Sequence, residues 1–322
     1  MINKLFFAQQ HSYTVSFFKK YYDKWNRVPI ESSPHFNLLC GNDSAYKKYL
    51  MYSWNNPRIH SKYSASAASE KIKSFKYLLD GIKMGGCRNA IPVVQALDGS
   101  YLIIDGNHRA SILKYLDQPY NVREVPLQEY LQYIITNKNE RYGTQDDIPY
   151  QPVYDNEQNI IIRGRRHDLL DRHAIIKQWL SLEDKVIVDY GATLGAALHL
   201  ALNDGAAHAY HIEKSNILLT SAIRLCVAKN IENIDFLEVD LSKEYSPLIE
   251  QADIAFCFSI HKHVKNDLML SKSLHASLKE KGSLIFETHS KKEKIPKEIL
   301  ERFNLLESSI LNSRQLHLLE KK

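Results

Sequence analysis

Five apolar segments between residues 185 and 287 alternate with segments of helical pattern, and this alternation constrains the fold more than any other feature. It is typical of a parallel sheet with helices on both faces. The predicted strands are residues 185–189, 208–212, 234–239, 252–258 and 282–286. The first three are completed or followed by acidic residues, Asp189, Glu213 and Asp240. Because unpaired carboxylates at strand ends need a solvated cleft or a ligand, the sequence predicts an α/β fold with a ligand site at one sheet edge.

The segment that follows the first predicted strand is rich in glycine. Residues 189–195 read D-Y-G-A-T-L-G and lead into a predicted helix over residues 196–202. A buried strand that ends in Asp, followed by a glycine turn onto a helix N-terminus, is the nucleotide-binding geometry of doubly wound sheets. Glycine lets the backbone pass close to a ligand, whose polar atoms then meet free N–H groups. Glu213 follows at close to the spacing of about 20 residues expected for a carboxylate that binds ribose hydroxyls.

Together these features resemble the class I S-adenosylmethionine (SAM)-dependent methyltransferase family over residues 160–322. Residues 189–195 stand where that family has D-x-G-x-G-x-G, with Thr193 in place of the middle glycine. The resemblance implies a Rossmann-like, doubly wound sheet that binds SAM. The implied cofactor-binding residues are Asp189, Gly191, Thr193, Gly195, Glu213, Asp240, Leu241 and Ser259. Within that set, the resemblance assigns Glu213 to the ribose and residues 240–241 to the adenine, while Asp189 and the two glycines line the methionine part.

The segment after the fourth predicted strand bears on the methyl acceptor. Methyltransferases of nucleobase amino groups carry an Asn/Asp/Ser-Pro-Pro-aromatic motif there, whereas residues 259–262 of this chain read S-I-H-K, which disfavours a DNA base. His261, His263 and Glu287 are the candidate catalytic residues, and His289 is a further candidate. A histidine at the mouth of the cleft can take a proton from a hydroxyl acceptor near neutral pH. Alternatively, these side chains only cap strands or helices.

Arginines precede the first helix of the C-terminal half, where residues 164–172 read G-R-R-H-D-L-L-D-R. Such arginines can hold a phosphate or a carboxylate bidentately. A solvated helix face explains each of them equally well. Our hypothesis for the acceptor is a hydroxyl or phosphate of a sugar or small metabolite.

A strand–turn–strand pattern precedes a polar pentapeptide in the N-terminal half. Residues 90–94 and 101–104 read as strands, and Asp98-Gly99 between them is a strong hairpin signal. The pentapeptide is Asp105-Gly106-Asn107-His108-Arg109, which leads into a predicted helix. The hairpin and the D-G-x-H-R motif resemble the ParB/sulfiredoxin superfamily over roughly residues 64–125. The resemblance implies a smaller α+β domain whose residues 105–109 contact the phosphates of ATP or another nucleotide.

Activities within this superfamily differ, and the sequence separates them only in part. Sulfiredoxin chemistry needs a cysteine directly before the His-Arg pair, where this chain has Asn107. A kinase role, with Asp105 as the base and Glu70 as a remote second carboxylate, stays open beside a degenerate domain that only binds a ligand. The alternative from another class is a nucleic-acid-associated protein whose N-terminal domain clamps DNA or RNA. The net charge of +5 is too mild to favour nucleic acid as the partner.

Composition and the positions of turn and loop residues divide the chain into four segments. These are an aromatic-rich helical segment (1–60), the ParB/sulfiredoxin-like domain (61–136), a linker or cover segment (137–159) and the methyltransferase domain (160–322). In the first, aromatic residues at helical spacing between Phe17 and Trp25 predict one apolar helical face. In the second, an amphipathic helix is predicted from Ser69 to the glycines at 85–86. Residues 137–159 show no periodicity.

Bulk properties give the remaining expectations. Four scattered cysteines form no CxxC pair, so we expect a reduced compartment and no metal site. No apolar run approaches the roughly 18 residues of a membrane span, and the first residues lack the apolar core of a secretory signal. The sequence thus predicts a two-domain cytoplasmic enzyme with a small-molecule or saccharide substrate, and it leaves the oligomeric state open.

Overall fold

The computed structural model describes residues 4–54, 63–136, 148–243, 251–264 and 266–322. The chain divides into two compact units, Met1–Ile134 with Ile223–Glu232, and Ile135–Ala222 with Asn233–Lys322. Within the described ranges, no helix combines the length and the apolar composition that a membrane span requires. Residues 137–147 of the predicted linker lie outside the described residues.

Short elements make up the described part of residues 4–136. The strands are β1 (Leu5–Ala8), β2 (Arg27–Pro29), β3 (Ile91–Gln95), β4 (Tyr101–Ile103) and β5 (Val122–Val125). The α-helices are α1 (Val15–Tyr22), α2 (Pro34–Leu39), α3 (Asp43–Trp54), α4 (Ala65–Gly85), α5 (Asn107–Tyr115) and α6 (Leu127–Thr136). Two 3-10 helices cover Ser12–Thr14 and Ile30–Ser32.

These strands form one sheet in the order β2-β1-β4-β3-β5. Strands β3 and β4 pair antiparallel, which confirms the predicted hairpin, and Gly99 in its turn has a φ of 78°. Residues 1–60 were predicted as a helical, aromatic-rich segment, and their described part also contains two strands that were not predicted. Strand β1 pairs parallel with β4, and β2 pairs antiparallel with β1. Strands of three or four residues are too short to show a period, so only pairing with the sheet reveals them.

Helix α4 differs from its prediction at one end only. It begins at Ala65 because the Ser64 hydroxyl accepts a hydrogen bond from the Ala67 N–H at 3.1 Å, which caps the helix before Ser69. It ends at Gly85, and Gly86 follows with a φ of 70°, as the two glycines predicted. The buried face of the helix packs on an aromatic core that includes Phe17 and Phe18.

The described part of residues 148–322 contains a longer alternation of strands and helices. The strands are β6 (Val153–Tyr154), β7 (Ile160–Ile162), β8 (Val186–Tyr190), β9 (His208–Glu213), β10 (Ile234–Glu238), β11 (Ala252–Phe258), β12 (Leu278–Glu287), β13 (Phe303–Leu311) and β14 (Arg314–Lys321). The helices are α7 (Leu169–Trp179), α8 (Ala196–Asn203), α9 (Asn216–Lys229), α10 (His261–Val264), α11 (Asp267–Ser277) and α12 (Lys297–Leu300).

Seven of these strands form a sheet in the order β10-β9-β8-β11-β12-β14-β13. The five strands predicted from the alternation, β8 to β12, run parallel and are confirmed. Strand β14 pairs antiparallel with both β12 and β13, an addition that the sequence did not predict. The strand order reverses between β8 and β11, and ligands of doubly wound sheets bind in the crevice at such a switch point.

The segment before this sheet is more ordered than a linker. Strand β6 pairs with β7, and Tyr154 is buried in a small cluster with Leu169, Ala196 and Leu200. Residues 137–159 were predicted as a linker or a cover segment, and β6 within them was not predicted. A two-residue strand carries no periodicity, and burial against α7 and α8 is a tertiary contact that sequence patterns do not show.

Candidate functional site

The glycine loop after β8 passes very close to the segment that follows β11. A Cβ added to Gly191 would lie 2.5 Å from Cγ2 of Ile260, and Gly191 has a φ of 77°. Both facts require glycine at this position. Gly195 also has a φ of 77° and caps the start of α8. Thr193, in place of the middle glycine, takes a left-handed φ of 52°.

The carboxylate of Glu213 ties the end of β9 to this loop. Its Oε2 accepts a hydrogen bond from the Thr193 N–H at 3.2 Å, and its Oε1 accepts one from the Ser215 N–H at 2.9 Å. The Thr193 hydroxyl is buried and has no partner among the described residues. An unpaired buried hydroxyl beside a carboxylate is the kind of polar group that a ligand satisfies.

A first cavity, of about 210 Å³, opens beside Glu213. Its walls are mainly apolar, from Leu218, Val239, Leu241, Ile260 and Val264. Asp240 also lines it, and two hydrogen bonds from Ser242 lower the pKa of Asp240 to about 2, so this carboxylate is ionised. The cavity therefore offers an apolar slot with two carboxylates at its rim.

A second cavity, of about 400 Å³, shares Gly191, Thr193, Ile260 and His263 with the first. Because four residues line both, the two cavities are contiguous at the glycine loop. Asp189 and Ser259 also line the second cavity, so this crevice receives every predicted cofactor-binding residue except Gly195. Gly195 lies at the start of α8, where an added Cβ would approach the ring of His211 at 3.1 Å.

Three guanidinium groups, those of Arg166, Arg172 and Arg314, line the second cavity. All three bind Glu287, which is 1% exposed and is absent from the lining. Burial raises the pKa of Glu287, but the Arg172 and Arg166 charges outweigh it and hold the pKa at about 2. This arrangement does not suit Glu287 for the predicted catalytic role, because so acidic a carboxyl accepts no proton near neutral pH.

The pKa of Asp189, near the end of β8, is shifted in the opposite direction to that of Glu287. Asp189 is 2% exposed, and this burial raises its pKa to about 7 despite the opposing charge of Arg172. Asp189 lines the second cavity and changes charge near neutrality, whereas Glu287 lies outside the lining and stays ionised. A carboxyl whose pKa is raised to near neutrality at a cavity wall is typical of functional sites.

The histidines after β11 and β12 separate into two positions. His263 lines both cavities, and His289 lines the second, where its buried Nε2 has no partner among the described residues. His261 is absent from both linings, and its Nε2 lies 3.2 Å from Oε1 of Glu293. Of the two histidines predicted as catalytic, the structure thus places His263 at the cavities and His261 behind them.

Sequence reasoning missed several residues of the second cavity. Arg166 and Arg172 had a signal, since their segment was interpreted either as a binder of phosphate or carboxylate or as a solvated helix face. The structure shows both bound to the protein's own Glu287. No sequence signal pointed to Tyr150 or Gln151, because they lie in the predicted linker. Arg314 had none either, because it begins the unpredicted β14.

The D-G-x-H-R motif lies at the start of α5, with Gly106 as the N-cap at a φ of 93°. The Tyr46 hydroxyl is 2.6 Å from Nε2 of His108, and burial lowers the pKa of His108 to about 4. The Arg109 guanidinium donates to the carbonyls of Asn89 and Ala90 at 2.9 and 3.0 Å. The basic pair is thus engaged within the unit, and His108 is uncharged at neutral pH.

Comparisons with known proteins found similarity to solved structures, and not to family models or curated proteins. No family model matches this chain, and no curated protein matches it. The chain is similar to ribosomal protein L11 methylase from Lactobacillus delbrueckii subsp. bulgaricus, at 18% identity over 49% of this chain and 81% of that chain, with a TM-score of 0.42. It is similar to a SAM-dependent methyltransferase from Aquifex aeolicus (18% identity, 47% and 90% covered, TM-score 0.41). It is also similar to magnesium protoporphyrin IX methyltransferase from Synechocystis, solved with bound SAM (16% identity, 48% and 78% covered, TM-score 0.38).

Proposed function

We propose that the second unit is a SAM-dependent methyltransferase that acts on a hydroxyl or phosphate of a sugar or small metabolite. One observation carries the proposal: two contiguous cavities meet at the glycine loop of the sheet's switch point, and Gly191, Thr193, Ile260 and His263 line both. The nucleoside part of the cofactor would occupy the first cavity, and its methionine part would reach Asp189 and Ser259 in the second. An acceptor in the rest of the second cavity would then meet the cofactor at the loop. Holding two reactants in contact is a major source of rate enhancement.

The residues of the first cavity fit the nucleoside part of SAM. The apolar walls from Val239, Leu241 and Val264 suit an adenine ring, and the Asp240 carboxylate suits its amino group. The Glu213 carboxylate suits the ribose hydroxyls. The unpaired Thr193 hydroxyl and the close approach that Gly191 permits lie where the two cavities join. SAM, when bound, supplies an electrophilic methyl group.

The residues of the second cavity suit an acceptor that carries negative charge. Arg166, Arg172 and Arg314 line this cavity, and all three bind Glu287, while Arg166 also binds Asp168. Three guanidinium groups against the two carboxylates of Glu287 and Asp168 leave an excess of positive charge at this wall, which favours a phosphate or a carboxylate. His263 stands at the junction and is placed to take the proton of a hydroxyl acceptor.

Calorimetric titration of SAM into the full chain tests the cofactor assignment. Glu213→Gln should weaken SAM binding at least about tenfold, because a hydrogen bond to a charged group contributes roughly 1.5–3 kcal/mol. Glu238→Gln is the matched control, since Glu238 ends the neighbouring strand, is exposed and lies outside the first cavity. Folded wild type that binds no SAM would refute the methyltransferase proposal.

Transfer of labelled methyl groups to sugars and sugar phosphates tests the acceptor class. With a hydroxyl acceptor, His263→Gln should lower the turnover rate by about 10²–10⁴-fold. With a phosphate oxygen as acceptor, the same substitution should leave the rate nearly unchanged, because that oxygen is already deprotonated. No transfer to either class by protein that binds SAM would remove this acceptor proposal.

The nucleotide role that the superfamily resemblance implies for residues 105–109, including ATP-dependent phosphate transfer, stays a prediction. The partners of His108 and Arg109 give no support to a phosphate site at that pair. The nucleic-acid alternative likewise stays a hypothesis. It predicts binding to random duplexes that weakens steeply with salt, and absence of binding at low salt would exclude it.

A further inference from the structure

The first unit contains a cavity of about 440 Å³ that the proposed methyltransferase does not use. It lies beside the end of β1, the start of α5 and helix α6, and all its lining residues belong to that unit. Its walls include the aromatic rings of Phe7, Phe18, Tyr49 and Tyr130. A concave site with aromatic walls and a few convergent polar groups is the usual form of a small-molecule site.

Two buried amide atoms at this cavity have no partner in the described part of the chain. Gln9 is 1% exposed, and its Oε1 accepts hydrogen bonds from the His11 N–H at 2.9 Å and from the Thr14 hydroxyl. These bonds fix the orientation of the amide and leave Nε2 as the unpaired donor. Asn107, the first residue of α5, contributes Oδ1 as an unpaired buried acceptor. Buried polar groups of this kind are costly unless something satisfies them.

The charged residues of the lining are Asp105 and Arg224, and both are already engaged. The Asp105 carboxylate lies 3.4 Å from the Arg109 guanidinium, and the Arg224 guanidinium donates to the Gln10 carbonyl at 2.5 Å. His11 is uncharged at neutral pH, because burial and then the Arg224 charge lower its pKa to about 4. His108 and Arg109 are absent from the lining. A phosphate would therefore meet a carboxylate and one occupied cation, which is an unfavourable site for an anion.

We infer that this cavity binds an uncharged ring compound that both donates and accepts hydrogen bonds, the chemistry of a sugar or of a nucleoside without phosphate. One group of the ligand accepts from Gln9 Nε2, and another donates to Asn107 Oδ1. The aromatic walls cover the apolar face of the ring. The inference differs from the phosphate contact that the D-G-x-H-R motif predicts, because the motif presents Asp105 and Asn107 to the cavity instead of its basic pair.

Titration calorimetry and saturation-transfer NMR on the full chain test this inference. The probes are D-glucose, D-galactose, D-ribose and uridine, together with glucose 6-phosphate and uridine 5′-monophosphate. At least one neutral probe should bind, and its phosphorylated counterpart should bind about tenfold more weakly or not at all. Binding by a sugar and not by uridine, or the reverse, identifies which source supplies the ligand.

Variants connect the binding to the cavity. Gln9→Glu keeps the acceptor oxygen and removes the unpaired donor, and Asn107→Leu removes the unpaired acceptor at similar volume. Each should weaken binding of the neutral probe at least about tenfold, whereas Gln95→Glu, an exposed change on β3, should not. Tighter binding of the phosphates, failure of all four neutral probes to bind folded protein, or wild-type affinity in both variants would overturn the inference. Circular dichroism of each variant checks that the fold is retained.

Discussion

Arg166 binds both oxygens of the Glu287 carboxylate, with Nη2 2.7 Å from Oε2 and Nη1 3.0 Å from Oε1. The pair is buried, at 8% and 1% side-chain exposure. It joins the segment before α7 to the end of β12, and the second cavity opens against it. Arg166 also binds the Asp168 carboxylate, so one guanidinium connects two acidic residues at the wall of the second cavity.

Loss of Arg166 should therefore be costly. Arg166→Ala should lower the free energy of unfolding by about 3–5 kcal/mol, because it removes the guanidinium that binds Asp168 and one of the three that bind the buried Glu287. Arg163→Ala, an exposed change nearby, should lie within about 0.5 kcal/mol of wild type. Urea unfolding measures both. Equal stability of the two variants would mean that Glu287 does not depend on Arg166.

Asp189 should make the stability of the protein depend on pH. Its folded pKa of about 7 exceeds the ordinary value of 3.8, so the folded state binds more protons than the unfolded state between these values. The free energy of unfolding should therefore fall as the pH rises from about 4 to 7, and the loss should be complete above 7. Asp189→Asn should remove this loss and stabilise the protein at pH 8. Unfolding curves at pH 5 and pH 8 that show no difference between variant and wild type would contradict the assignment.

Gly191 should tolerate no side chain. Gly191→Ala places a Cβ 2.5 Å from Ile260 at a φ of 77°, so we expect a loss of about 1–3 kcal/mol from backbone strain and overpacking, together with loss of SAM binding. Gly81→Ala, in α4, meets open space and should instead raise stability by about 1 kcal/mol. Thermal unfolding and calorimetry distinguish the two. Full SAM affinity in Gly191→Ala would show that the loop does not approach the cofactor.

His108 should lower the free energy of unfolding when the pH falls. Burial depresses its folded pKa from 6.5 to about 4, so the unfolded state binds the proton first, and stability should fall as the pH drops from 6.5 towards 4. His108→Gln should reduce this fall, whereas His167→Gln, at an exposed position, should not. Urea unfolding at pH 7 and pH 5 gives the comparison. An unchanged acid sensitivity in His108→Gln would place its cause at other buried histidines, such as His35.

Much of the second unit could be predicted because its signals are local. The apolar runs of β8 to β12, the glycines of residues 189–195 and the acidic residues at the strand ends are all contiguous in the sequence. The Asp98-Gly99 hairpin and the glycine stop of α4 are local in the same way. A strand of five residues or a turn of two is determined by the residues that form it.

The orientation of functional side chains could not be predicted in the same way. The sequence predicted that His108 and Arg109 contact an anion. In the structure the Tyr46 hydroxyl lies beside His108, and Arg109 donates to the carbonyls of residues 89–90. It proposed Glu287 as a catalytic group, but the surrounding arginines hold it ionised. In each case the decisive partner comes from an element distant in the chain, and it fixes both the position and the charge of the side chain.

Local sequence patterns were thus enough to predict the doubly wound α/β sheet, the hairpin with its following helix, and the glycine loop with Glu213 and Asp240 at strand ends. The periodicity and turn chemistry of a few neighbouring residues suffice for these features. The pairing of β1 and β2 with the first sheet, and the placing of Arg166, Arg172 and Arg314 around Glu287, became known from the three-dimensional structure alone. Those contacts join residues far apart in the chain, and the ion pairs form because a buried carboxylate is costly without cations beside it.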